Sequence, residues 1–302
     1  MSNKAATGEI DGMNQTPPDI PVIDHIAPLT AAYSAWFCDV WGVVHNGITP
    51  HDSAVQACQA FRDRGGVVVL LSNSPRHGDG VAAQLDRIGV PRSAYDTLVT
   101  SGDVARALML RRGGDKVFLL GPERDRPMLD GLDIQLVGPD EAEVVLCSGL
   151  FDDETETPED YTDLFTRLRA RSLPMICANP DLMVERGDRL VYCAGALAAR
   201  YGEMGGEVVY TGKPHPPIYD LARERLHALA GAVPDSNILA IGDGVKTDIA
   251  GAIAEGLDAV FVASGLHVRD MDASDALDGA AIAELFAGSP TKPVAAMKRL
   301  AW

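Results

Sequence analysis

Basic residues are scarce in this chain. Its 26 Lys and Arg stand against 43 Asp and Glu, for a formal net charge of −17 over 302 residues. An acidic excess of that size repels a phosphate backbone, so nucleic acid is not an expected partner. Also missing is any apolar run near the roughly 20 residues that a membrane span requires, so no membrane partner is expected either. Residues 1–21 are polar, with acids and prolines, and lack the basic-then-apolar order of a secretory leader; they read as a flexible tail. Cysteines number only five: Cys38, Cys58, Cys147, Cys177 and Cys193. An odd count without CxxC spacing argues against both a disulfide framework and a structural zinc site. Most lie in or near apolar stretches, as expected for buried thiols in a reducing cytoplasm, the expected location of the protein.

What the chain has in quantity is apolar side chains, 46% of residues against 23% charged, enough for a sizeable core in two domains or one large α/β unit. Short β-branched or apolar runs alternate with amphipathic stretches, the pattern of parallel strands joined by helical crossovers. Strands are predicted at 36–40, 67–71, 117–120, 144–147, 175–178, 238–241 and 259–262. Several are apolar without interruption, as strands covered on both faces should be. A helix is predicted from Thr157, which can cap it, with Pro158 at the first helical position and Asp160 in the first turn. Tyr161, Leu164, Phe165 and Leu168 follow at i, i+3, i+4 and i+7 and make one apolar face. A second helix is predicted over 217–229. The Ala-rich run 195–201 reads as helix packing, and the acidic 152–157 as a solvated loop.

Four segments stand directly after predicted strands, where ligand sites assemble in open parallel sheets. FCDVWGVVHNG (37–47) carries Asp39, with Gly42 and Gly47 allowing a tight backbone excursion. LLSNSPR (70–76) carries Ser72, Asn73 and Ser74, and TGKPHPPIYD (211–220) holds Lys213 just before a helix. IGDGVKTDIAGA (241–252) carries Asp243 and Asp248. Taken singly, each has a structural explanation: an Asp after a strand caps or turns, Ser72 and Asn73 shape a loop, and Lys213 is a solvated charge. Together, in one order and all at strand ends, they fit phosphoryl transfer. A carboxylate that attacks phosphorus forms an aspartyl-phosphate and splits one hard step into two. Two facing anions repel, so a divalent cation is needed, and Asp39 and Asp243 offer the hard oxygens that Mg²⁺ takes. Ser72 and Lys213 would hold the non-bridging oxygens, and the backbone N–H groups of Asn73 and Ser74 would add an anion cradle.

These residues resemble the four motifs of the haloacid dehalogenase superfamily, over about residues 26–265. They are most similar to its IIA branch of nucleotidases, p-nitrophenyl phosphatases and phosphoglycolate phosphatases. The resemblance implies a Rossmann-like α/β core with a parallel sheet (22–98 and 206–302), interrupted by an α/β cap domain of the C2 type (99–205). It also implies a Mg²⁺-dependent phosphatase acting on a small phosphorylated metabolite such as a sugar phosphate or nucleotide. Asp39 becomes the nucleophile, Ser72 and Lys213 the phosphate binders, Asp243 a metal ligand, and Asp248 a ligand or its support. Whether two copies form a homodimer is left open.

One position departs from that pattern. Trp41 stands where family phosphatases carry a second Asp, two residues after the nucleophile, to protonate the leaving group. It keeps the backbone carbonyl attributed to the metal contact but supplies no proton. That loss corresponds to about 10²–10⁴-fold in rate, or roughly 3–5.5 kcal/mol of barrier. Three readings accommodate it. The leaving group needs no protonation; or His45 shuttles the proton, a role it shares with the plainer one of a loop histidine; or the protein is a sensor that binds a phosphorylated ligand without turnover. Relatives that cleave carbon–halogen or phosphonate bonds also lack this Asp. The retained Asp243 disfavours the first chemistry, and Lys116 is the one lysine in the expected cap that could form the imine of the second. In the cap, ANPD (178–181) brings Asn179 and Asp181, as leaving-group contacts or as an Asx turn. His215 is expected to cap or bind rather than catalyse, and Gly265 and His267 to border the site.

Overall fold

The computed structural model describes residues 20–186, 189–263, 277–289 and 292–302. The chain order begins with β1 (Ala35–Asp39), α1 (Asp52–Asp63), β2 (Val67–Ser72), α2 (Gly78–Ile88), β3 (Thr97–Thr100) and α3 (Ser101–Arg111). Next come β4 (Lys116–Leu120), β5 (Gln135–Leu136), β6 (Val144–Cys147), α4 (Thr162–Ala170), β7 (Met175–Cys177), β8 (Met183–Arg186) and β9 (Arg189–Tyr192). Then follow α5 (Ala194–Glu203), β10 (Val208–Tyr210), α6 (Pro216–Ala230), β11 (Ile238–Gly242), α7 (Ala250–Ala254), β12 (Asp258–Val262), α8 (Gly279–Leu285) and β13 (Ala295–Met297). Each strand predicted from the sequence is present within a residue of its predicted limits.

Six strands form one parallel sheet in the order β13-β12-β11-β1-β2-β3. Alternation of side chains explains why its strands read as unbroken apolar runs. Trp36, Cys38, Val68, Leu70, Leu239 and Ile241 join α1 and α2 in one buried cluster. Ala35, Phe37, Val69, Leu71, Ile238 and Ala240 face the other way, onto Ile218, Tyr219, Ala222 and Leu226 of α6. Trp36 stacks on Phe61 at 4.1 Å between ring centroids. The strand order reverses at β1: the chain first moves outward through β2 and β3, and later returns through β11 on the opposite side. Asp39 ends β1 and therefore sits at the topological switch point, where open α/β sheets bind ligands.

Between β3 and β11 the chain builds a second parallel sheet, β10-β7-β6-β4-β5, with β8 and β9 as a separate antiparallel pair. Tyr161, Phe165, Leu168, Leu197, Ala198 and Tyr201 pack one of its faces, and Ala105, Met109, Met128 and Leu129 the other. The helix predicted from Thr157 opens with a 3-10 turn, and Thr157 donates its N–H and hydroxyl to Asp160 at 2.8 and 3.0 Å. The second predicted helix is α6. β10 pairs with β7, so this second sheet extends to Tyr210. The two chain crossings between the units meet at a buried hydrogen bond of 2.7 Å between the Ser101 and Thr211 hydroxyls. Among the described residues, no helix is long and apolar enough to cross a membrane. All five cysteines are free and buried.

Candidate active site

The loop that follows β1 turns back at once. Gly42 takes φ +90° and donates its N–H to the carbonyl of His45 at 2.8 Å. A β-carbon at Gly42 would come within 2.0 Å of Asp243 Oδ2, so only glycine lets this backbone lie against that carboxylate. Asp243 follows β11, the neighbour of β1 on one side, and Ser72 ends β2, the neighbour on the other. Asp248 lies in a π-helical turn, Val245–Ile249, where the Ile249 N–H reaches the Gly244 carbonyl at 3.0 Å. Such turns recur at functional sites. The turn lets Gly244 donate its N–H to Asp248 Oδ2 at 3.0 Å.

Lys213 joins these segments. The residue is 3% exposed, and its Nζ donates to Asp39 Oδ1, to Asp248 Oδ1 at 2.7 Å and to the Leu71 carbonyl at 3.3 Å. Asn73 fixes the lysine's backbone: Oδ1 accepts the Lys213 N–H at 2.8 Å, and Nδ2 donates to the Lys213 carbonyl at 3.1 Å and to Asp181 Oδ1 at 2.8 Å. One amide side chain thus ties the end of β2, the lysine loop and the cap loop together.

Asp39, Asp243 and Asp248 each offer a carboxylate oxygen, all within 4.8 Å of one another. A single ammonium cannot neutralise three carboxylates. At an effective dielectric near 20, each unscreened pair at that spacing costs about 3 kcal/mol. Burial pushes the Asp39 carboxyl up to about 7, with Asp248 adding to the rise and Lys213 opposing it. Burial, then the charges of Asp39 and Asp248, holds Asp243 well above the usual carboxylate range. Burial alone would lower Lys213, but Asp248 and Asp39 hold it well above its ordinary value. A hard divalent cation held by these carboxylates would offset this excess, and the all-oxygen donor set fits such an ion.

The remaining sequence expectations fall out unevenly. Ser72 Oγ is 3.2 Å from the Ser74 N–H, which donates to it; that N–H is therefore already engaged rather than free to cradle an anion. The Asn73 side chain acts as the clamp described above. Asn179 Oδ1 accepts the Asp181 N–H at 3.1 Å, which makes the Asx turn, while Asp181 faces Asn73. His45 is 2% exposed, and burial, helped by His51, lowers it to about 4. Its Nδ1 accepts the Gly47 N–H at 2.8 Å, so the ring is neutral and holds the loop. His215 stacks on Tyr210 at 4.6 Å. Lys116 is the first residue of β4. Gly265 and His267 lie outside the described residues. The Asn73 clamp and the fit of Gly42 to Asp243 were missed in the sequence, because neither leaves a local pattern.

The core-to-cap junction also contains a cavity of about 440 Å³ lined by Arg76, Arg106, Arg124, Asp125 and Met128 among others; the three carboxylates do not line it.

Known proteins carry the same arrangement of chain and sheet. Residues 36–135 match the family model described as haloacid dehalogenase-like hydrolase, and residues 210–288 match a second HAD-hydrolase-like model. The crystal structure of a haloacid dehalogenase-like hydrolase from Brucella suis 1330 is 48% identical, covers 92% of this chain and 99% of its own, and superposes with a TM-score of 0.81. The 5'-nucleotidase YutF of Bacillus subtilis is 24% identical over 79% of this chain and 90% of its own. The ribonucleotide monophosphatase NagD of Escherichia coli K12 is 27% identical over 77% of this chain and 88% of its own. With Asp39 at the switch point, Lys213 between two carboxylates, and near-complete coverage of a relative almost half identical, the chain belongs to the haloacid dehalogenase-like hydrolases.

Proposed function

We propose that the chain is a Mg²⁺-dependent phosphohydrolase of the cytoplasm that forms an aspartyl-phosphate on Asp39, from a small phosphorylated metabolite such as a sugar phosphate or nucleotide. The observation that carries this reading is the Lys213 ammonium, buried between Asp39 and Asp248 with Asp243 in reach. The likeness to YutF, a 5'-nucleotidase, and NagD, a ribonucleotide monophosphatase, supports it.

Asp39 attacks phosphorus from the end of β1, and the cap loop reaches the site through the bond of Asn73 to Asp181. Lys213 and Ser72 hold the non-bridging oxygens, and Asp248 keeps Lys213 aimed through its 2.7 Å bond. Asp39, Asp243 and the Trp41 carbonyl would hold Mg²⁺, with Asp248 as ligand or support; when bound, the ion neutralises the facing anions. Proton donation to the leaving group is the function these residues do not supply, since Trp41 replaces the acid and His45 is neutral and engaged.

That gap favours a second reading, a sensor that binds a phosphorylated ligand without turnover. A panel of phosphate monoesters, anhydrides and acyl phosphates with Mg²⁺, run beside Asp39→Asn, decides between them. Phosphate release that needs both Asp39 and Mg²⁺ supports the enzyme; tight binding with no Asp39-dependent release supports the sensor.

A further inference from the structure

We propose that the cavity lined by Arg76, Arg106 and Arg124 is a second binding site, apart from the three carboxylates, for a small hydroxylated organic anion such as a sugar acid or a sugar phosphate. This site does not depend on the phosphohydrolase reading above.

The second sheet has a switch point of its own. All its strands run parallel, in the order β10-β7-β6-β4-β5. From β4 the chain moves outward to β5, then crosses back to β6 on the other side of β4 and continues through β7 to β10. The crevice outside the carboxyl ends of β4 and β6 is therefore where such a sheet takes a ligand, as Asp39 marks it in the first sheet. Polar side chains stand buried at those ends. Asp125, in the 3-10 turn Glu123–Leu129 that follows β4, is 5% exposed, and Ser148, directly after β6, is 4% exposed. Burial raises the Asp125 carboxyl, while Ser148, then Arg124 and Arg76, oppose the rise.

The cavity lies beside this crevice. At about 440 Å³ it falls within the roughly 300–1,000 Å³ of small-molecule pockets. Three guanidiniums line it, in a chain whose net charge is −17. Arg76 comes from the loop after β2, Arg106 from α3 and Arg124 from the turn after β4. Arg124 already pairs with Asp153. Arg76 and Arg106 are anchored on neutral oxygens instead, the Gln84 amide oxygen at 3.0 Å and the Met128 carbonyl at 2.9 Å. Each keeps its charge and further N–H donors for a ligand. Of the acids on the lining, Asp79 has a side chain 99% exposed and Asp130 is exposed as well, which leaves Asp125 as the buried one.

A guanidinium grips a carboxylate or phosphate through parallel N–H donors. The Asp125 carboxyl beside it accepts from hydroxyls, and it repels a second anionic group at that end. One oxyanion on Arg76 and Arg106, with hydroxyls on Asp125, meets both demands. The backbone holds the two arginines in register. The Arg76 carbonyl accepts the Thr100 hydroxyl at 2.7 Å, and the Ser74 carbonyl accepts the Gly102 N–H at 3.0 Å. These bonds tie the loop of Arg76 to the first turn of α3, the helix that carries Arg106.

Calorimetric titration of the full chain in EDTA, with gluconate, glucose 6-phosphate and uncharged glucose as probes, tests the site. Both anions are expected to bind and glucose is not; the preference between the two anions tells which oxyanion the site takes. Arg76→Gln and Arg106→Gln are each expected to weaken the anions by about 10-fold or more, the worth of one hydrogen bond to a charged group. Ser72→Ala is expected to leave them unmoved. Affinity unchanged by both arginine substitutions, a loss in Ser72→Ala alone, equal binding of glucose, or no binding of either anion overturns the proposal. Hydrogen exchange on the wild-type chain needs no variant to fold. Gluconate is expected to slow exchange over residues 101–111 and 123–130, and slowing confined to 211–248, or found nowhere, overturns the proposal equally.

Discussion

Adding one methyl group at Gly42 is expected to weaken metal binding far more than it weakens the fold. Alanine in a left-handed backbone conformation costs about 1–2 kcal/mol. Gly42 (φ +90°) and Gly89 (φ +100°, at the carboxyl end of α2) share that conformation, so the backbone cost is common to both substitutions. Their surroundings differ. A β-carbon at Gly89 meets nothing within 4 Å, whereas one at Gly42 meets Asp243 Oδ2 at 2.0 Å, and real β-carbons essentially never come closer than 3.0 Å. The Asp243 carboxylate must therefore retreat by about 1 Å, against a Mg²⁺–oxygen bond of only about 2.0–2.1 Å and near-octahedral demands. Misplacing a ligand in this way typically costs about 10–100-fold in affinity. Calorimetric titration with Mg²⁺ and urea unfolding of wild type, Gly42→Ala and Gly89→Ala separate the two effects. Both variants should lose similar stability without metal, and only Gly42→Ala should lose Mg²⁺ affinity. Equal Mg²⁺ affinity in the two variants would refute the placement of Asp243 at the metal.

Further outcomes follow from the same geometry. Lys213→Met leaves Asp39 and Asp248 buried without their cation; unfolding in metal-free buffer at pH 7 should show a loss of about 3–5 kcal/mol, partly recovered on adding Mg²⁺. His45 is lowered in the folded protein from 6.5 to about 4, so the unfolded chain binds the extra proton first as pH falls. Its contribution is fully present above pH 6.5 and is lost as pH drops toward 4, by about 3 kcal/mol in all. Urea titrations between pH 7 and pH 4 should show that slope in wild type and a flatter one in His45→Asn. Trp41→Asp returns a proton donor beside the nucleophile and should raise kcat on ethyl phosphate by about 10²-fold or more. No rise with Mg²⁺ binding intact would show that the missing acid is not what limits alkyl esters.

Much of this architecture is legible in the chain because the same residues carry both fold and site. Trp36 and Phe37 point to opposite faces of β1, and the strand that results delivers Asp39 to the switch point. Ser72 and Asp243 could be placed because neighbouring strand ends in a parallel sheet converge, whereas Lys213 follows β10 of the other sheet. Short elements were harder. β3, β10 and β13, with three or four residues each, show too little periodicity to be read, and β10 changes unit only through its pairing with β7. The roles of Asn73 and His45 were illegible for a different reason. Asn73 meets Asp181 and Lys213 across more than 100 residues of sequence, and the burial of His45 depends on how its loop closes. Local composition records neither.

The central claim is that phosphorus becomes bonded to Asp39. Acid quench of the wild-type chain during turnover of acetyl or phenyl phosphate with Mg²⁺, followed by peptide mass spectrometry, reads this directly. The account predicts a phosphoryl group on the peptide that contains Asp39, absent in Asp39→Asn and lost on chase with unlabelled buffer. Phosphate release at full rate with no phosphoryl group at Asp39, or with one on another residue, would contradict it.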